Sequence, residues 1–243
     1  MQSREKAMKT ALLISMMLLS TTRVLASGED DPLLAKVMVD QLEWRDADQD
    51  DPLAWKIDAW VGKDLRKLWF KTEGAKEFNA LHKRNQEFET QLLYSRALTS
   101  FWDAQVGWRG DWGPESDRHW LTLGVLGIAP GQIDTSAAFF AGDEGRAALR
   151  LEFEYEIVLS QKWRLSPELE VDFHGRNDRH TRTGAGLSTV ETSLRLYYFP
   201  RKEFAPYVGY HRQWLHGNTA DYARLDGKDD EEGEWLIGVR IWF

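Results

Sequence analysis

Residues 147–159 read AALRLEFEYEIVL, and this stretch decides the fold. Ala147, Leu149, Leu151, Phe153, Tyr155, Ile157 and Leu159 alternate with Ala148, Arg150, Glu152, Glu154, Glu156 and Val158. Successive side chains of a strand point to opposite sides, so a strand sorts this run into one apolar face and one face with four charges. A helix would mix the two sets. The 13 residues exceed the usual strand of a soluble sheet and suit a tilted strand crossing a bilayer, which needs about 9–11.

The pattern continues on both sides. Trp163, Leu165, Pro167, Leu169, Val171 and Phe173 alternate with Arg164, Ser166, Glu168, Glu170, Asp172 and His174, although Pro167 cannot donate to a ladder and counts against a central strand. Similar runs occupy Lys36–Arg45, Leu53–Gly62, Leu65–Glu73, Gln86–Arg96, Trp102–Gly110, His119–Gly127, Ile133–Gly142, Leu187–Tyr198, Phe204–Gln213 and Glu234–Phe243, making twelve. The first of them alternates least cleanly. If it rises from the periplasm, the inner turns Lys63–Asp64, Ala97–Phe101, Ile128–Gln132, Ser160–Lys162 and Phe199–Glu203 are all short, and the outer connections are mostly longer. That parity predicts an all-β chain: an antiparallel transmembrane β-barrel of 12 strands with short periplasmic turns, longer extracellular loops and both ends in the periplasm.

Composition narrows the class further. The 243 residues have a mean hydropathy of −0.51, which excludes a bundle of membrane-spanning helices. The apolar run Ala11–Leu19 follows Arg4, Lys6 and Lys9, is too short to span, and precedes Val24-Leu25-Ala26, so residues 1–26 read as a cleaved secretory signal. Residues 27–35 then form a short periplasmic segment before a barrel over 36–243. Removing the signal takes away four bases and one acid and moves the formal charge from −8 to −11, which makes nucleic acid an unfavourable partner. With no cysteine there is neither a disulfide framework nor a thiolate metal site. The 12 tryptophans suit the headgroup zone of a membrane, where a ring is half wet and half apolar. A soluble β-sandwich also alternates, but strand length, turn parity and tryptophan count all favour the barrel.

The polar face carries the candidate chemistry. On the strand of Pro167, Glu168, Glu170, Asp172 and His174 stand at i, i+2 spacing opposite Glu152, Glu154 and Glu156, and acids outnumber bases on the inward faces. Oxygen and imidazole donors suit a divalent transition ion such as Cu²⁺. The simpler reading of each such residue is a wet wall with cross-strand ion pairs. Cuprous ion would want sulfur, yet Met1, Met8, Met16 and Met17 lie in the signal and only Met38 follows it. Of the remaining histidines, His82, His180 and His216 fall in outer loops, and none pairs with another at the spacing of a structural zinc site. Ser95, Ser188 and Ser193 lie on strands, but no G-x-S-x-G, phosphate loop or H-E-x-x-H accompanies them, so the chain does not read as an enzyme.

Long stretches resemble a known family. They include Asp31–Arg45 (DPLLAKVMVDQLEWR), Gly62–Gly74 (GKDLRKLWFKTEG), Gln91–Ala97, Phe101–Arg109 (FWDAQVGWR), Glu203–Gly209, Gly217–Arg224 and the closing Gly238–Phe243 (GVRIWF). Together they are similar to the copper resistance protein B family of bacterial outer membranes. The resemblance implies an outer-membrane protein of copper tolerance that sequesters or exports copper alongside periplasmic copper-handling proteins, and that the final Phe243 serves as the aromatic end read during barrel assembly. Many members carry a Met- and His-rich segment after the signal; here only Ser27–Asp30 stands there, which moves the metal hypothesis onto the barrel. The expectation is a copper ion, Cu²⁺, held transiently by Glu168, Glu170, Asp172 and His174, with Glu152, Glu154 and His211 as second contacts. Two alternatives stay open, a nonspecific cation-preferring pore and an outer-membrane hydrolase.

Overall fold

The computed structural model describes residues 32–46, 52–77, 86–113 and 117–243. The proposed signal and His82 lie outside them. Strands β1 (Leu34–Asp46), β2 (Pro52–Lys63), β3 (Arg66–Glu77), β4 (Gln86–Ala97), β5 (Trp102–Trp112), β6 (Arg118–Ala129) and β7 (Ile133–Gly142) follow one another as antiparallel neighbours. They are followed by β8 (Ala147–Tyr155), β9 (Ile157–Val158), β10 (Trp163–His174), β11 (Gly186–Tyr198), β12 (Phe204–Leu215) and β13 (Glu231–Trp242). β1 pairs with β13 through Met38–Trp242 to Asp46–Trp235, and β10 pairs with β11, so the sheet closes on itself. β8 and β9 both pair with β10 and make one stave, giving a closed barrel of 12 staves.

The split between β8 and β9 has a cause in the sequence. Pro167 keeps its place in the ladder to β11 opposite Leu194, but it has no N–H to offer the other neighbour. On that side pairing lapses between Glu168–Glu154 and Leu165–Ile157 and then resumes in the same register. The proline therefore interrupts one ladder without ending the strand.

β1 alternates poorly because it contains a bulge. Its register to β2 shifts between Val39–Ile57 and Gln41–Lys56, leaving Asp40 as the extra residue. Val37 faces outward before the shift and Leu42 and Trp44 after it, while the adjacent Asp40 and Gln41 are both buried. One inserted residue thus exchanges the faces and sends two consecutive polar side chains inward.

The distribution of burial separates a barrel from a sandwich. Leu121, Leu123, Val125, Phe139, Leu194, Val208, Trp235 and Ile237 are exposed on the outer face, Leu123 at 48 % and Ile237 at 62 %. Buried inside are Glu43, Ser95, Gln105, Thr122, Ser166, Ser193, Arg195 and Glu234. A soluble protein would bury the first set and expose the second; the inversion requires lipid outside. No helix among the described residues is long and apolar enough to cross a membrane, so the strands do the crossing. Aromatic side chains gather near the strand ends: Trp108, Trp112 and His119 pack edge-on and tilted against one another at the long-loop end, and Trp163 packs on Tyr198 at the short-turn end. Amphipathic rings of this kind anchor a barrel at the two interfaces.

The connection after β12, expected to be a plain loop, contains the helix α1 (Gly217–Leu225), which starts at His216. The barrel begins at Leu34, two residues before the expected start.

Candidate functional site

Because the inward faces are polar and a ring of 12 staves is too wide for them to fill, the long-loop half of the lumen is hollow. The cavity has a volume of about 1360 Å³. Its walls come from β1 to β8 and β10 to β12, and its outer rim includes Arg179, His180 and Arg182 from the β10–β11 loop together with Asp226 and Lys228 after α1. Its inner limit lies at Gln41, Lys56, Glu168 and Arg195. Toward the short turns the interior is packed. Tyr197 and Tyr207 pack at a tilt with centroids 4.8 Å apart, and Arg240 lies over Tyr197 while meeting Asp40 at 2.7 Å and Glu154 at 3.2 Å. A smaller cavity of about 30 Å³ reaches down to Leu93, Gln105 and Thr122, all of which are buried.

The strand β10 does bring Glu168, Glu170, Asp172 and His174 onto the cavity wall in one row. Opposite them in register stand Glu154, Glu152, Arg150 and Ala148. The acids are not bare. Glu168 accepts from Arg195 Nη1 at 2.5 Å and from Ser193 Oγ at 3.1 Å, and Lys56 Nζ lies 3.6 Å from its other oxygen. Arg150 Nε meets Glu170 at 2.9 Å and Asp172 at 3.1 Å, and the same guanidinium reaches Glu73 and Glu89. His174 Nδ1 is 2.9 Å from Ser188 Oγ.

Of the second contacts, His211 lines the cavity, its Nε2 3.1 Å from Glu191 and its Nδ1 3.3 Å from Glu234. Glu152, 2.8 Å from Lys56 Nζ, lines only the smaller cavity, and Glu154 accepts from Ser166 Oγ at 2.6 Å below it. The seven positions therefore do not converge. Among the described residues, no group of three or more His, Asp or Glu is placed to hold a metal ion.

Acids outnumber bases on the inward strand faces as the sequence implies, but not around this cavity, because Asp58, Glu152, Glu154 and Glu156 lie below it. Nine Asp and Glu line it, and so do nine Lys and Arg. The excess disappears also because Arg45 enters from β1 after its bulge and because Arg118, Arg179, Arg182 and Lys228 are contributed by strand tops and loops that alternation does not read. Burying charge in a narrow wall is tolerable only in such pairs. Asp40, Glu43 and Arg45 escaped the sequence reading; the three-residue step from Val39 to Leu42 was the available signal of a phase change.

The serines offer no exposed nucleophile. Ser188 is fully buried, and its hydroxyl donates to the Asp172 carbonyl at 3.0 Å; Ser193 is tied to Glu168 and Arg195, and Ser95 lies 3.1 Å from Asp103.

A closed antiparallel barrel with an apolar outer band, aromatic ends and a charged, partly hollow interior is an outer-membrane β-barrel. Its fold resembles that of a NanC porin, with a TM-score of 0.56 at 12 % identity over 86 % of this chain and 99 % of the porin. Residues 33–243 match the family described as copper resistance protein B precursor. A copper resistance protein B homolog of Pseudomonas syringae pv. tomato is 37 % identical over 214 residues, covering 88 % of this chain and 71 % of the relative. Copper resistance protein B of Escherichia coli is 37 % identical over 207 residues, covering 85 % and 69 %. The chain belongs to the copper resistance protein B family of the bacterial outer membrane.

Proposed function

We propose that this barrel contributes to copper resistance by binding copper in its outer cavity as cargo, briefly, and so helps to sequester or export it. The observation that carries the reading is the row Glu168, Glu170, Asp172 and His174, which lines an aqueous cavity in a chain of the copper resistance family. Those carboxylates already hold Arg195, Lys56 and Arg150, so an arriving Cu²⁺ competes with guanidinium and ammonium groups for each oxygen. Competition of that kind weakens binding, and an ion in transit must bind weakly enough to leave. Oxygen and imidazole donors favour Cu²⁺, and His211 offers a further contact on the wall. Glu152 and Glu154 would serve only an ion that has moved deeper. On this reading the barrel works in outer-membrane lipid beside periplasmic copper-handling proteins.

Replacing Glu168, Glu170, Asp172 and His174 together by Gln, Gln, Asn and Ala tests the proposal. Lowered copper tolerance at unchanged barrel amount, with loss of the paramagnetic Cu²⁺ signal from purified protein, is the expected outcome. Unchanged tolerance and signal would reject these contacts. Equal flux of Cu²⁺, Zn²⁺ and Ni²⁺ through liposomes would favour a nonspecific pore; the equal numbers of acids and bases around the cavity give that alternative no steering charge.

A further inference from the structure

The tops of β10 and β11 are adjacent, since His174 pairs with Gly186, and two residues suffice to join such a pair. The chain uses residues 175–185 instead. This loop is anchored at two places. On one side Asp178 meets Arg118 of β6 at 2.6 Å and Arg146, just before β8, at 3.3 Å, and Thr181 Oγ1 accepts from Arg118 at 3.1 Å.

On the other side the loop is fastened to α1. Gly184 N donates to Thr219 Oγ1 at 2.8 Å, Asn177 Oδ1 accepts from Asn218 at 2.8 Å, and Arg182 meets Asp226 at 2.8 Å. The contact at Gly184 is close enough to exclude a side chain: a Cβ there would stand 2.5 Å from Thr219 N. Within the loop, Asp178 and Thr183 exchange backbone hydrogen bonds of 2.7 and 2.9 Å.

The anchors thus lie on β6 and on the helix after β12, which packs chiefly against β11, so the loop is fixed at its own root and reaches from there past β10, β8 and β7 to β6. A loop fixed at those two points extends over the opening, and Arg179 to Thr183 accordingly line the cavity. We propose that residues 175–185 form a fixed strap across the outer mouth, held by Asp178 on one side and by the tight Gly184 contact on the other, which sets the size of solute admitted to the lumen. The strap would act on any cargo, so it stands apart from the copper assignment.

The chain has no cysteine, so one introduced thiol reports access without background. Ala75 lines the cavity from β3, and Ala75→Cys can be labelled in the whole barrel with a small methanethiosulfonate and with a bulky polyethylene-glycol maleimide. The strapped protein should react with the small reagent and slowly with the bulky one. Adding Asp178→Ala, which loses a charge-assisted contact, or Gly184→Ala, whose Cβ would collide with Thr219 N, should raise the bulky-to-small rate ratio about tenfold. The small-reagent rate and heat-modified gel migration report folding of each variant. A raised ratio in either folded variant supports the strap; an unchanged ratio in both overturns it.

Discussion

Glu43 and Arg195, separated by 152 residues in sequence, form a two-pronged ion pair inside the barrel: Nε to Oε2 at 3.1 Å and Nη2 to Oε1 at 3.2 Å. The Glu43 side chain is 0 % exposed and that of Arg195 is 3 %. Tyr207 donates to the same carboxylate at 2.9 Å and Arg45 Nε at 2.8 Å, so β1, β11 and β12 are joined through one group. Removing Arg195 takes the two-pronged partner from buried Glu43, which keeps Arg45, and leaves Glu168 with Lys56, 3.6 Å away, as its remaining cation. Arg195→Ala should cost about 3–5 kcal/mol, whereas Tyr207→Phe, which deletes one hydrogen bond to a charge, should cost about 1.5–3 kcal/mol. Denaturant midpoints followed by tryptophan fluorescence would check the order, and an Arg195→Ala loss no larger than that of Tyr207→Phe would contradict it.

The outer band predicts a different cost. Leu123 lies at the centre of β6 and faces outward. Leu123→Arg should destabilise the barrel in lipid by about 2–4 kcal/mol, the penalty for a guanidinium near the bilayer midplane. Refolding into vesicles at graded urea measures it. A near-neutral effect would mean that this face meets water.

Backbone proximity sets a third expectation. A Cβ at Gly107 would stand 2.0 Å from the Leu92 carbonyl on the neighbouring strand and 2.8 Å from Leu93 Cα. Neither atom can move without parting β4 from β5. Gly107→Ala should therefore destabilise by about 1–3 kcal/mol through overpacking, and more than Ala104→Gly on the same strand. Thermal shifts of the two variants on gels give the comparison.

The outer strap has a pH signature. Although partial burial opposes ionisation of Asp178, the His180 backbone N–H, the Arg118 guanidinium, the Thr181 backbone and Arg146 together hold its carboxyl below the ordinary value of 3.8. Asp143 and Glu144, also paired with Arg146, and the exposed Arg176 share this neighbourhood. A lowered folded value means that the contribution of Asp178 is complete above 3.8 and is lost as pH falls through the lower folded value. The Asp178 and Thr183 amides, which exchange hydrogen bonds within the loop, should lose protection against deuterium exchange as pH falls well below 3.8, while trypsin at neutral pH should cut Asp178→Asn but not the parent at Arg176, Arg179 or Arg182. Equal protection of these amides above and below that pH would show that Asp178 does not hold the strap.

Much of the architecture was legible in one dimension because a strand has a period of two and lipid demands one continuous apolar face. Leu121, Leu123 and Val125, or Trp235, Ile237 and Val239, could be placed outward from their spacing alone. So could the facing of Glu168 and Glu170 with Glu154 and Glu152, because the turn between their strands is short. The same counting failed at β1, where the extra residue Asp40 reverses the phase, and it failed in the loops, where Asp178 and Gly184 have no period to reveal them.

Alternation, turn parity and the run from Ala147 to Leu159 determined that this chain is a membrane barrel, since side-chain direction along a strand is a local property of the backbone. Only closure of the barrel decided which charges meet. Glu43 on β1 finds Arg195 on β11 across β12 and β13, and Arg150 gathers Glu73, Glu89, Glu170 and Asp172 from three other strands. Those meetings depend on stagger and curvature around the ring, and with the loop and rim bases they balance the charges around the outer cavity.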